Sequence, residues 1–384
     1  MTVDTQELPA VRSLGTLEPV AYFDGAMPTG VTVSHQGRIF VNFPKWGDEV
    51  LFTVAEVRDG RPVAYPNEAI NRPDSGNSAA TLVSVQSVVI DPADRLWILD
   101  TGSPLFQPTQ HGGPKLVCVD LASNRVVKTI LFPQDIALPT SYLNDVRFDL
   151  RRGAEGMASS PTHPTGARMG SLWWIWHPVK AGGACMTILR RRPRDCKAFS
   201  RLSRGVLCWS ASRMARSGRS SRWARMGSPS ARTGHACTTC PLASRRLYSV
   251  ATDALADRWL DEVAVATTVA DEGDRGGASD GLESDAAGHL YSTNYEHNAI
   301  LRRDADGKWE TVVYDPRLLW PDTLSVAADG YLYVTANQLH RPGELSGWPR
   351  PAPEALYAVS RPHRRSACLA AVTLPPEKRS DGTQ

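Results

Sequence analysis

The chain has 384 residues, 42% hydrophobic and 22% charged, with 30 glycines and 28 prolines. That composition excludes a wholly disordered chain, suffices for one large core or two ordinary ones, and contains no run of about 18 apolar residues that would mark a membrane-spanning helix. The net charge of +3 averages two unlike parts: residues 159–236 hold 15 Lys and Arg against one acid, Asp195, leaving 28 basic and 39 acidic residues for the rest.

The N-terminal tail, residues 1–14, begins MTVDTQELPA. It has neither a basic n-region nor an apolar h-region, so no secretory signal is read and a cytoplasmic location is expected on that ground. From residue 15 a pattern recurs. It reads GVTVSHQGRIFVN at 30–42, QSVVIDPADRLWILD at 86–100, DGLESDAAGHLYSTN at 280–294 and DTLSVAADGYLYVTAN at 322–337. Each copy is a short alternating strand, a turn rich in Asp and Gly, and a second alternating strand with a bulky centre. Such copies predict hairpins, and repeated antiparallel units predict a β-propeller, with a β-sandwich as the plainer alternative. Trp97, Tyr291 and Tyr333 are expected in the blade core.

The middle of the chain breaks this pattern. The basic stretch carries five of the 11 tryptophans, together with Cys185, Cys196 and Cys208. A nucleic-acid-binding insertion or a disordered basic linker would explain the arginines, but not the Trp and Cys among them. Out-of-frame translation explains all three. Taking the last base of each codon with the first two of the next, Leu172–Val179 permits VVDLASGE, much like LVCVDLASN at 116–124. By the same shift Arg222–Thr233 permits MGSDGIAISADG, which resembles SDGLESDAAG at 279–288, and the following codons permit RLYY just before Cys240. The reading is therefore of two compensating frame changes, near Ala158 and near Thr239.

This gives five segments: a tail at 1–14, a first propeller part at 15–158, an aberrant, irregular basic segment at 159–238, a last propeller part at 239–360 and a tail at 361–384. Ala355–Val359 is expected to be the closing strand. Cys237-x-x-Cys240 looks like a redox or metal pair, but the frame reading removes Cys237 and leaves Cys118, Cys240 and Cys368, with no disulfide framework and no zinc site. No phosphate-binding glycine loop and no nucleophile elbow is present.

Four stretches carry a resemblance: SVVIDPADRLWILDTG at 87–102, SYLNDVRFD at 141–149, SDGLESDAAGHLYSTNYEHNAI at 279–300 and WPDTLSVAADGYLYVTANQLHR at 320–341. They resemble the royal-jelly/yellow protein family in its bacterial branch. The resemblance implies an all-β, six-bladed β-propeller, here with one to two blades corrupted. It also implies a small polar or aromatic ligand, such as a biogenic amine, in a central channel, with dopachrome-converting chemistry in some members. Its insect members are typically secreted, so it points to an extracellular or periplasmic location, against the missing signal.

Asn144-Asp145 and Asp280-Gly281 also look like metal-ligand motifs of the gluconolactonase/senescence-marker propellers. That similarity implies Ca²⁺ or another divalent cation on Asn144 and Asp280, polarising a lactone carbonyl while a carboxylate serves as base for water. The chain departs from that pattern at Met27-Pro28-Thr29-Gly30, where a Glu is expected. The channel candidates are Asp100, Asn144, Asp145, Asp280, Gly281, Asn294 and Asn337, with structural readings beside five of them: a turn or strand-end cap for Asn144, turn closure for Asp280, and bonding of the next blade's backbone for Asp100, Asn294 and Asn337. His297 and His340 are read as surface or packing residues. The expected partner is a small molecule, with no nucleotide, haem, nucleic acid or membrane. Three functions stand: a ligand-binding propeller with isomerase chemistry, a metal-dependent lactone hydrolase, and a non-catalytic scaffold.

Overall fold

The computed structural model describes residues 13–150, 157–164, 173–178, 207–211, 236–257, 259–340 and 354–360. Strand β1 (Leu17–Phe23) is followed by a sheet of β2 (Gly30–Val33), β3 (Ile39–Asn42), β4 (Val54–Arg58) and β5 (Arg61–Ala64). The next sheet holds β6 (Val85–Ile90), β7 (Arg95–Asp100), β8 (Lys115–Asp120) and β9 (Arg125–Leu131). A third is built from β10 (Ser141–Leu143), β11 (Arg147–Asp149), β12 (Met157–Pro164) and β13 (Trp173–Pro178). Then come β14 (Leu207–Ala211), β15 (Ala236–Pro241), β16 (Arg246–Ala251) and β17 (Ala270–Asp274), and β18 (Leu282–Ser284), β19 (Leu290–Asn294), β20 (Ala299–Arg303) and β21 (Trp309–Tyr314). Finally β22 (Pro321–Val326), β23 (Tyr331–Ala336) and β24 (Glu354–Ser360) pair in order, and β24 pairs with β1.

Among the described residues this makes six four-stranded antiparallel sheets, arranged as a β-propeller. First strands of neighbouring sheets lie side by side: β2 between β22 and β6, and β18 between β14 and β22. The Ser87 hydroxyl donates to Asp145 Oδ1 at 2.7 Å, tying β6 to the third sheet. Ala355–Val359 closes the ring as expected, with Leu17↔Val359 on one side and Ala336↔Ala355 on the other. Closure of the first strand onto the last leaves no long edge there.

Stacked sheets bury both faces of a strand, which is why the central strands read as continuous apolar runs. In β7, Leu96 and Ile98 pack with Phe40, Val54 and Tyr65 toward the first sheet, while Trp97 and Leu99 pack with Leu143 and Val146 toward the third. The recurring turn aspartate also has a cause. One carboxylate oxygen of Asp91, Asp285 and Asp329 closes the turn, and the other accepts from Trp97 Nε1, Tyr291 OH and Tyr333 OH at 2.9, 3.1 and 2.8 Å. Trp97 and Tyr291 are buried, whereas Tyr333 is half-buried.

The basic segment departs from expectation. Read as irregular, it nevertheless holds most of β12, all of β13 and β14 and the first half of β15. Ladder bonds run between main-chain groups, so strand pairing tolerates unsuitable side chains. The remainder of that segment, residues 1–12 of the N-terminal tail and the C-terminal tail lie outside the described residues.

Candidate functional site

Antiparallel order places the start of each sheet's first strand and the end of its second strand at one end of the propeller. The sequence candidates gather there. Asp280 and Gly281 lead into β18, Asp322 lies in β22, and Asn144 and Asp145 occupy the break between β10 and β11. Asp100 and Asn294 end β7 and β19, and Asn337 follows β23.

Two of these ends meet closely. Thr293 Oγ1 accepts the backbone N–H of Asp280 and of Gly281, at 3.0 and 2.9 Å. A Cβ on Gly281 would lie 1.9 Å from the Asp322 carbonyl oxygen, so only glycine permits this approach of β18 to β22. The side chains of Asp280 and Asp322 are half-buried. Asp280 Oδ2 accepts Trp320 Nε1 at 2.8 Å, and Asp322 Oδ2 accepts Asn337 Nδ2 at 2.6 Å. Among the described residues their side-chain donors are neutral. Burial lifts the Asp280 carboxyl to about 6, against which the Trp320 N–H acts. Burial, and then the charges of Asp280 and Asp145, lift Asp322 well above the carboxylate range. Like charges held close cannot both ionise freely, and such a pair titrates as a unit.

Aromatic rings flank the pair. Trp320 lies flat on Tyr295, with centroids 4.1 Å apart and planes at 4°, and stacks on His340 at 5.8 Å. Trp320 has φ +54°, a strained backbone for a bulky residue and a pointer to a functional position. At the same end, Trp46 stacks on Phe106 at 5.2 Å and donates its N–H to Tyr142 OH at 2.6 Å; that hydroxyl in turn donates to Gln86 Oε1 at 2.8 Å. Burial lowers the Lys45 ammonium, opposed by Asp100.

The other candidates have structural roles. Asp100 accepts the N–H groups of Val83, Ser84 and Gly102 and pairs with Lys115 Nζ at 2.7 Å, both side chains being fully buried. Asn294 accepts from the His297 N–H and donates to the Gly276 carbonyl. Asp145 is held by Ser87, its neighbour's N–H and Arg147. Asn144 is half-buried. Among the described residues no three His, Cys, Asp or Glu side chains converge as metal ligands, and Asp145 is paired with Arg147 at 2.8 Å.

Sequence reasoning left Asp322, Trp320 and Tyr295 out of the candidates; His340, read as a surface or packing residue, is exposed and stacked on Trp320. The repeat itself held the signal. Thr293 and Thr335 occupy one register position, and Thr335 Oγ1 accepts the Thr323 N–H as Thr293 accepts that of Gly281. Asp322 is thus the counterpart of Asp280 one sheet on.

The "Major royal jelly protein" family model matches residues 83–159 and 233–344. "L-dopachrome tautomerase yellow-f" of Drosophila melanogaster is 34% identical over 122 residues, 29% of this chain and 27% of that protein. "Protein yellow" of Drosophila erecta is 27% identical over 138 residues, 34% of this chain and 25% of its own. The matched stretch thus spans about a quarter of these relatives. Among solved structures, a luciferin-regenerating enzyme superposes with TM-score 0.55 at 12% identity, covering 90% of this chain and 95% of that one. A gluconolactonase from Xanthomonas campestris does so at 0.52 and 12%, covering 90% and 89%. The calcium-binding protein regucalcin from Agrobacterium tumefaciens does so at 0.51 and 15%, covering 90% and 97%. These three share the fold. With its repeats, its propeller and two matched segments that include Asp145, Asp280 and Asp322, this chain belongs to the major royal jelly/yellow protein family.

Proposed function

We propose that the chain closes as a six-bladed propeller and binds a small aromatic molecule bearing an ammonium group at the Asp280–Asp322 end of its axis. The observation carrying this reading is the pair of half-buried carboxylates with neutral side-chain donors only, beside the Trp320–Tyr295 stack. An ammonium satisfies such a pair, and a ring fits against stacked aromatics. The likeness to a dopachrome tautomerase supports an isomerase reaction on such a ligand. Tautomerisation breaks a C–H bond and forms an O–H bond with no net oxidation. It needs a base poised near neutrality, and a carboxyl lifted to about 6 meets that need.

Calorimetry with dopamine tests the binding. Dopamine should bind, and 4-methylcatechol, which lacks the amine, should bind at least about tenfold more weakly, a difference of about 1.4 kcal/mol. Equal affinities would refute the reading. Lactone hydrolysis with Ca²⁺ is the weaker alternative, because among the described residues no three His, Cys, Asp or Glu side chains converge as metal ligands. Chelator-sensitive lactonase activity would reverse that ranking.

A further inference from the structure

The structure shows where the basic segment departs from the repeating pattern. Four sheets join their first and second strands by short turns, residues 34–38, 91–94, 285–289 and 327–330. In the sheet of β14 and β15 the same connection is residues 212–235. The central strand β12 pairs with β10 and β11 on one side and β13 on the other, yet contains Pro161 and Pro164, which have no N–H to give. The family match stops at 159 and resumes at 233.

We infer that the codons from about 159 to 238 are read out of frame here, and that the shifted frame encodes a short connection between the first and second strands of the sheet of β14 and β15. The shifted codons of Arg222–Thr233 permit MGSDGIAISADG, followed by RLYY up to Cys240. That places a first strand directly before a four-residue turn and a second strand over the positions of β15. The 24-residue connection becomes a turn of the length seen in the other sheets. Likewise VVDLASGE, over Leu172–Val179, falls on β13, the third strand of its sheet, as LVCVDLAS falls on β8. The permitted Ser-Asp-Gly repeats Ser279-Asp280-Gly281.

Sequencing the DNA across codons 150–245, with peptide mass spectrometry of the purified protein, tests the frame. Two compensating changes, or peptides carrying the shifted sequence, are expected. Peptides containing Trp173–His177 as written here would overturn the inference. That result is independent of any ligand.

Discussion

The indole N–H of Trp320 reaches Asp280 Oδ2 at 2.8 Å while its ring lies 4.1 Å from that of Tyr295. One residue therefore both supports a carboxylate charge and builds the aromatic wall beside it. Trp320→Phe separates the two roles. The stack survives, but the donor that opposes the burial of Asp280 is lost, so its pKa rises further. Ammonium binding requires the ionised carboxylate and is lost as pH falls through the pKa of the pair. The midpoint of that loss, followed by calorimetry between pH 5 and 8, should move upward in Trp320→Phe.

Asp100 was a channel candidate in the sequence and is a buried structural anchor in the fold. Asp100→Asn leaves the Lys115 ammonium without its counter-charge. Breaking a buried pair costs about 3–5 kcal/mol. Denaturant unfolding should show a loss of that order.

Gly281 is constrained by its neighbour strand rather than by its own φ. In Gly281→Ala the new methyl would meet the Asp322 carbonyl at 1.9 Å. We expect overpacking to cost about 1–3 kcal/mol or more, read as a lowered Tm, with weakened ligand binding because Asp280 and Asp322 are pushed apart.

The first two sheets are clamped by Arg38. It gives Nε to Glu56 Oε1 at 2.7 Å, and reaches the Leu121 carbonyl and Asn124 Oδ1 beyond. Burial pushes the Glu56 carboxyl up, but hydrogen bonds from Arg38 and Arg58 outweigh it and hold the group below its ordinary 4.5. A carboxylate depressed on folding stabilises fully above its unfolded pKa and loses that contribution as pH falls through the folded value. Arg38→Met should therefore lower stability by about 1–3 kcal/mol at pH 7. The gap to the parent should shrink as pH falls below that ordinary 4.5.

The hairpins were legible because the chain alternates at period two and punctuates each turn with Asp and Gly. The site was half legible. Asp280 and Asn144 stood out in motifs, but strand-end polarity alone does not separate Asp100, which bonds backbone amides, from Asp322, whose carboxylate meets Asn337 beside Asp280. That distinction depends on what each carboxylate meets in the neighbouring sheet. Trp320 and Tyr295 are distant in sequence, and only the closure of β18 against β22 makes them one wall.

The most direct test of the central claim is dopamine calorimetry on the parent and on Asp322→Asn. The account predicts binding in the parent and a loss of at least about tenfold in the variant, with the fold retained by circular dichroism. Equal dopamine affinity in the two proteins would contradict it.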